Sequence, residues 1–154
     1  MKPVRKLTIS AIIIALYVVI MFITQSFAFG QYQIRIATAM YALSYKYPFL
    51  IIPLGISNFL SNTLMGGLGP LDMIGGTIVG IITSGAVYLI RRMKLNEWFI
   101  VVPIIFGPGL MVPLWLSYLL PVPYKLLALS ICIGQIVPAI TGVLLIKALR
   151  KVLG

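Results

Sequence analysis

The sequence predicts an all-α integral membrane protein of six transmembrane helices, with both termini in the cytoplasm. Three observations predict it. The chain of 154 residues is 61% hydrophobic and 9% charged, with a mean hydropathy of +1.12. A soluble domain of this size needs far more charge to cover its surface. Apolar runs of about 20 residues, enough to cross the hydrocarbon core, recur along the chain. Its 12 Lys and Arg, against 2 acids, gather at the ends of those runs, where cations mark topology.

The segments are 5–26, 33–46, 48–65, 71–91, 98–119 and 125–149. In the first, the apolar run from Leu7 to Ile23 exceeds a signal-peptide core. Ala28 and Gly30 offer a small-residue cleavage pattern, yet a retained helix is expected. The second is short and polar for a span and is expected to sit partly at the outer interface. The third carries the polar string SNFLSN. The fourth begins after the turn MGGLGP, where glycine permits unusual backbone angles and Pro70 suits a first helical turn. The fifth holds Pro103, Pro108 and Pro113 around FGPG, an interruption expected to kink it and free carbonyl groups. In the sixth, Gln135 and Pro138 are expected to act similarly.

Six spans place Lys2, Arg5, Lys6, Lys46, Arg91, Arg92, Lys94, Lys147, Arg150 and Lys151 inside, and only Arg35 and Lys125 outside. Cytoplasmic termini satisfy the positive-inside bias. The spans consume nearly the whole chain, so residues 1–154 read as one transmembrane domain with short loops and no room for a soluble catalytic domain.

Several function classes fall away. The net charge of +10 sits at span ends and not on a polar face, so it signals topology and not nucleic acid. There is no His and one cysteine, Cys132, which excludes disulfides within the chain, zinc sites of His and Cys, and Ser-His-Asp triads. Cys132 reads as a small packing residue. No GxxxxGK[ST] phosphate loop is present, and GGLGPLD lacks both the last glycine and the strand of a dinucleotide fingerprint. No cofactor or metal is expected.

What remains is an outward polar pocket. Asn58 and Asn62 lie one helical turn apart and share a face, with Ser57 and Ser61 in an adjacent row. Asp72 falls in the first turn of the fourth segment, near unpaired backbone N–H groups that favour its charge. Against lipid it would cost about 3 kcal/mol, so a cavity, water or a partner is expected beside it. The plainer alternative is that Asp72 caps its own helix while the two asparagines tie helices together. Gln31, Gln33, Arg35 and Thr38 join from the second segment and Gln135 from the sixth. Arg35 is either a ligand contact or a snorkelling interfacial charge. Gly76, Gly80 and Ser84 form a small-residue face suited to close helix packing.

The elements QIRIATA, PLGISNFLSNTLMGGLGPLDMIGGTIVGIIT and the late IGQ resemble the QueT family, substrate-binding S-components of energy-coupling factor (ECF) transporters. The family pattern is a Q-x-R-x-S-E-A segment, a Leu-Gly then Asn-Leu helix, a glycine-rich turn ending in Asp, and a Gly-Ser-Leu-Ala-Thr-like helix. The likeness covers nearly the whole chain and is densest over residues 30–85. It implies a six-helix S-component bundle in the cytoplasmic membrane of a bacterium or archaeon. Such a subunit captures a queuosine precursor or related deazaguanine outside, and a coupling protein and two ATPases complete delivery.

On that resemblance Asp72 would take the base's N–H edge, with Asn58 and Asn62 as adaptable partners, and Tyr32, Trp115 or Tyr118 could stack on the ring. Ala11 and Ala15 would match the family's Ala-x-x-x-Ala docking stripe. The sequence departs at Thr38 and Gln135, where the family carries Glu, and lacks an Asn in IIFGPGL. Two missing carboxylates weaken recognition of a cationic aminomethyl group and imply a neutral or larger relative as ligand. An S-component for another vitamin keeps the same plan. A small channel or ion carrier has only Asp72 to line a path and shows no internal repeat. An intramembrane enzyme lacks a second carboxylate beside Asp72 for acid–base work.

Overall fold

A computed structural model describes residues 2–28, 34–66 and 69–153. Helix α1 (Pro3–Ile23) starts on a proline, whose missing N–H would have had no helical partner anyway. It buries only Tyr17 and Met21. Ile9, Ile13 and Ile20 pack partly against the same cluster, while Leu7, Ile12, Val19 and Phe22 face outward, as hydrocarbon allows. A short α2 (Gln25–Ala28) follows.

The second expected span is where the fold departs from expectation. Ile36–Tyr45 form a 3₁₀ helix of 10 residues, which rises only about 20 Å against a hydrocarbon core of roughly 30 Å. Every residue from Ala37 to Ser44 is buried among neighbouring helices. Five stretches are long and apolar enough to cross a membrane: Pro3–Ile23, Pro48–Met65, Pro70–Arg92, Glu97–Leu119 and Tyr124–Val152. Five of the six expected spans therefore have the length, and the second is instead a buried rod within the bundle. Residues three apart eclipse in a 3₁₀ helix, so Thr38, Tyr41 and Ser44 line up as one polar row, while Ala37, Ala39 and Ala42 let neighbours close in.

Helix α3 (Ile51–Ser61) is continued by a π turn, Asn62–Gly66. Helix α4 (Pro70–Arg92) follows Gly69 at φ 98°, a backbone angle that a side chain would resist. The small face of α4 packs as expected: a Cβ on Gly80 would lie 3.3 Å from the Gly55 Cα, and Ser44 Oγ donates to the Ser84 carbonyl at 2.7 Å. Helix α5 (Val101–Leu119) runs without a break through Pro108 and Pro113, so the expected interruption of this span does not sever it. Cys132, on α6 (Tyr124–Gly134), packs directly against Gly109 of α5. The sixth span does divide, at Gln135, before α7 (Ile136–Leu153). Pro138 has no N–H to offer the Gly134 carbonyl, and Gln135 takes the turn.

Three apolar clusters hold the bundle. Tyr17, Met21, Tyr41 and Leu54 join α1 and α3 to the 3₁₀ rod. Ala42, Val87, Ile104 and Val143 join the rod to α4, α5 and α7. Val79, Val112, Leu116 and Ile131 join α4 to α5 and α6. In lipid this contact is dispersion and shape, because tails are as apolar as leucine. Several cations gather at the end away from Arg35. Lys6 lies over Phe49, Arg91 donates to the carbonyls of Tyr45 and Lys46, and Arg150 pairs with Glu97.

Candidate functional site

Toward the other end, the start of α4, the end of α3 and the entry to the 3₁₀ rod converge on a polar cup. Arg35, Thr38, Tyr41, Asn58, Asn62, Asp72, Trp115 and Gln135 line it, with Gly76, Val79, Pro108 and Val112 as apolar wall. Sequence spacing explains the floor: Asn58 on α3 and Asn62 at the start of the π turn that continues it share the inward side, and both are 3% exposed.

Arg35 organises the amides. Its Nη1 donates to Asn58 Oδ1 at 3.3 Å and its Nη2 to Asn62 Oδ1 at 3.0 Å. Its Nε donates to the Ala28 carbonyl at 3.1 Å. The side chain is buried, at 6% exposure, so the snorkelling alternative does not describe it. The amide nitrogens face the other way: Asn58 Nδ2 donates to Tyr41 Oη at 2.6 Å and Asn62 Nδ2 to the Asp72 carbonyl at 3.1 Å. Tyr41 Oη in turn lies 3.3 Å from Tyr17 Oη. On the opposite wall, Thr38 Oγ1 is 2.7 Å from the Arg35 carbonyl and 2.8 Å from Gln135 Oε1. These bonds fix both asparagines' orientation.

Asp72 is the exception to this saturation. Its Oδ1 accepts from Trp115 Nε1 at 3.0 Å, while its Oδ2 is buried and has no hydrogen-bond partner among the described residues. Neither oxygen bonds the backbone of its own helix, so the capping alternative does not hold for Asp72. The helix-tying alternative does describe Asn58 and Asn62. Leaving a carboxylate oxygen buried without a donor costs on the order of 1–3 kcal/mol or more, a cost that function commonly explains. The free volume of the cup is about 10 Å³, on the order of a single water.

Seven of the candidate ligand-contacting residues singled out from sequence meet here: Arg35, Thr38, Asn58, Asn62, Asp72, Trp115 and Gln135. Tyr118 does not; it is 86% exposed and is corrected to an outward residue of α5. Trp115 is the aromatic that reaches the cup. Gln33, with Gln31 and Tyr32, lies outside the described residues. Ala11 and Ala15 are exposed on α1. Sequence reasoning missed Tyr41, although its three-residue spacing from Thr38 was available as a signal. Among the described residues no group of three or more His, Cys, Asp or Glu could hold a metal.

A family model described as QueT transporter matches residues 7–151, nearly the whole chain. The chain belongs to the QueT transporter family. Membership and five apolar helices make it a multi-pass membrane protein with a role in transport. A transporter family implies a small-molecule substrate and accords with a chain that is not an enzyme. No curated protein and no solved structure matches it.

Proposed function

We propose that this chain is the substrate-capturing S-component of an ECF-type importer in a cytoplasmic membrane, with its basic end and both termini in the cytoplasm. The cup binds a queuosine precursor or a related deazaguanine or nucleobase-like micronutrient from outside, and a coupling protein with two ATPases completes its passage. The observation that carries this reading is Asp72 Oδ2, which has no hydrogen-bond partner among the described residues inside a cup otherwise saturated with hydrogen bonds. A guanine-like edge presents adjacent N–H donors, the group this oxygen lacks. Trp115, held by Asp72 Oδ1, offers a ring face beside it. Thr38 and Gln135 are neutral and bonded to each other, so the cup favours a ligand without a separate ammonium group.

A deazaguanine needs far more room than one water, so capture requires the cup to open. Two elements allow this. The Arg35 side chain spans the cup between α3 and Ala28, and the π turn Asn62–Gly66 is a helical irregularity of the kind that recurs at functional sites. A second reading is favoured by the small volume alone: the cluster is a polar lock between helices. Mass spectrometry of small molecules that co-purify with the chain separates the two. A deazaguanine-class ligand carried by wild type and lost on Asp72→Asn supports capture; no ligand, with uptake unchanged in Asp72→Asn cells, leaves only the lock.

Docking gives a further expected outcome. Ala11 and Ala15 are exposed on α1, and small residues one turn apart allow close helix contact. Ala11→Leu or Ala15→Leu should stop uptake by the full complex while leaving binding to the isolated chain and its melting temperature unchanged. Uptake at the wild-type rate in both variants would remove this stripe from the docking surface.

A further inference from the structure

At the basic end lies a second cavity of about 190 Å³, lined by Tyr45, Lys46, Arg91, Glu97, Ile146 and Arg150. We propose that it binds a phosphate group, carried by a phospholipid headgroup at the membrane surface or by free phosphate. Charge comes first. Three cations from the end of the 3₁₀ rod, α4 and α7 meet one carboxylate, leaving a formal balance of 3 − 1 = +2. The chain's other acid, Asp72, is committed to the cup. Glu97 gives one oxygen to Arg150, and its second oxygen has no partner among the described residues. Among the described residues, neither Lys46 nor Arg91 has a carboxylate within ion-pair distance.

Geometry comes second. Arg91 Nη1 donates to the carbonyls of Tyr45 at 3.0 Å and Lys46 at 2.9 Å. That anchors the guanidinium to the end of the rod while its Nε and Nη2 make no hydrogen bond among the described residues. An anchored, planar fork with free donors matches phosphate oxygens, and less side-chain freedom is lost on binding. Depth comes third. Trp98, next to Glu97, is 44% exposed with Lys147 Nζ 4.6 Å over its ring, the aromatic-and-cation pairing of a headgroup layer. Basic pockets between helices at that level suit anionic lipid headgroups. The site is separate from the cup and does not depend on what the cup binds.

The test uses the purified full chain. Native mass spectrometry would follow its retention of phosphatidylglycerol against phosphatidylcholine, whose choline cancels the phosphate charge. Wild type should prefer phosphatidylglycerol. Lys46→Gln should weaken retention about five-fold and Lys46→Gln with Arg91→Gln about thirty-fold, at roughly one factor of five per cation. Lys2→Gln with Lys125→Gln, outside the cavity, should change nothing. Among the described residues Lys46 Nζ makes no hydrogen bond and only lies 5.9 Å from the centre of the Tyr47 ring, so Lys46→Gln remains a fair probe if the double variant folds poorly. Separately, inorganic phosphate is titrated against the melting temperature of wild type and Lys46→Gln. A rise in wild type alone assigns free phosphate; no rise with phosphatidylglycerol still preferred assigns the lipid. Equal losses in the cavity and control variants, or wild type with neither lipid preference nor phosphate response, would overturn the proposal.

Discussion

Asp72→Asn is expected to weaken capture of a deazaguanine-class ligand by roughly ten- to a hundred-fold, with the fold held or slightly stabilised. The substitution is nearly isosteric and its Oδ1 still accepts from Trp115 Nε1, so the bond seen at 3.0 Å survives. What changes is the second position. A carboxylate oxygen with no partner among the described residues, on a side chain buried at 3% exposure, becomes an amide that donates. A ligand N–H then meets a donor where it had met an anionic acceptor, and a hydrogen bond to a charged group is worth about 1.5–3 kcal/mol. Without ligand the sign reverses, because a desolvated charge is removed and no existing bond is lost. Ligand affinity by calorimetry and the melting temperature of the same preparation check both halves. Unchanged affinity would take Asp72 out of the site. A fall in both affinity and stability would assign it to structure, as the lock reading requires.

Much of this arrangement was legible because hydrophobic patterning and helical spacing carry it. Long apolar runs ended by cations locate the spans, and a four-residue separation puts Asn58 and Asn62 on one face. The small face at Gly76, Gly80 and Ser84 forecasts the approach of α3. The 3₁₀ rod was not legible. Its segment IATAMYALSY reads as short and polar for a span, and composition does not distinguish a three-residue turn from an α-helical one. Burial by neighbours on all sides decides it, and no local signal reports that. Tyr118 was misplaced for a simpler reason. The inward stripe of α5 runs Ile104, Pro108, Val112 and Leu116. Tyr118, two residues on from Leu116, stands roughly 200° around the helix from it. The closure of the cup by Arg35 was beyond the sequence as well, since a long side chain can reach water or turn inward from the same backbone position.

Gly76 is where the packing of α4 and the chemistry of the cup become the same constraint. A Cβ added there would collide with Asn62 Nδ2 and stand 2.6 Å from Asn58 Oδ1. Both amides are buried and already bonded, to Arg35, to Tyr41 and to the Asp72 carbonyl, so neither can turn aside without leaving a partner unsatisfied. Gly76→Ala is therefore expected to destabilise the chain by about 1–3 kcal/mol, the usual range for an overpacked buried site. Each amide bond broken in the process adds to that cost. The same variant should lose ligand capture, because Arg35 can no longer be held by both asparagines. Gly85, also within α4, has nothing within 4 Å of its would-be Cβ. There the helix propensity of alanine acts alone, and Gly85→Ala should be neutral or stabilising by up to about 1 kcal/mol. Melting temperatures of the pair, measured in one detergent, read the difference. If the two variants melt alike, the close seating of Asn58 and Asn62 against Gly76 is wrong, and the cup's floor must be built some other way.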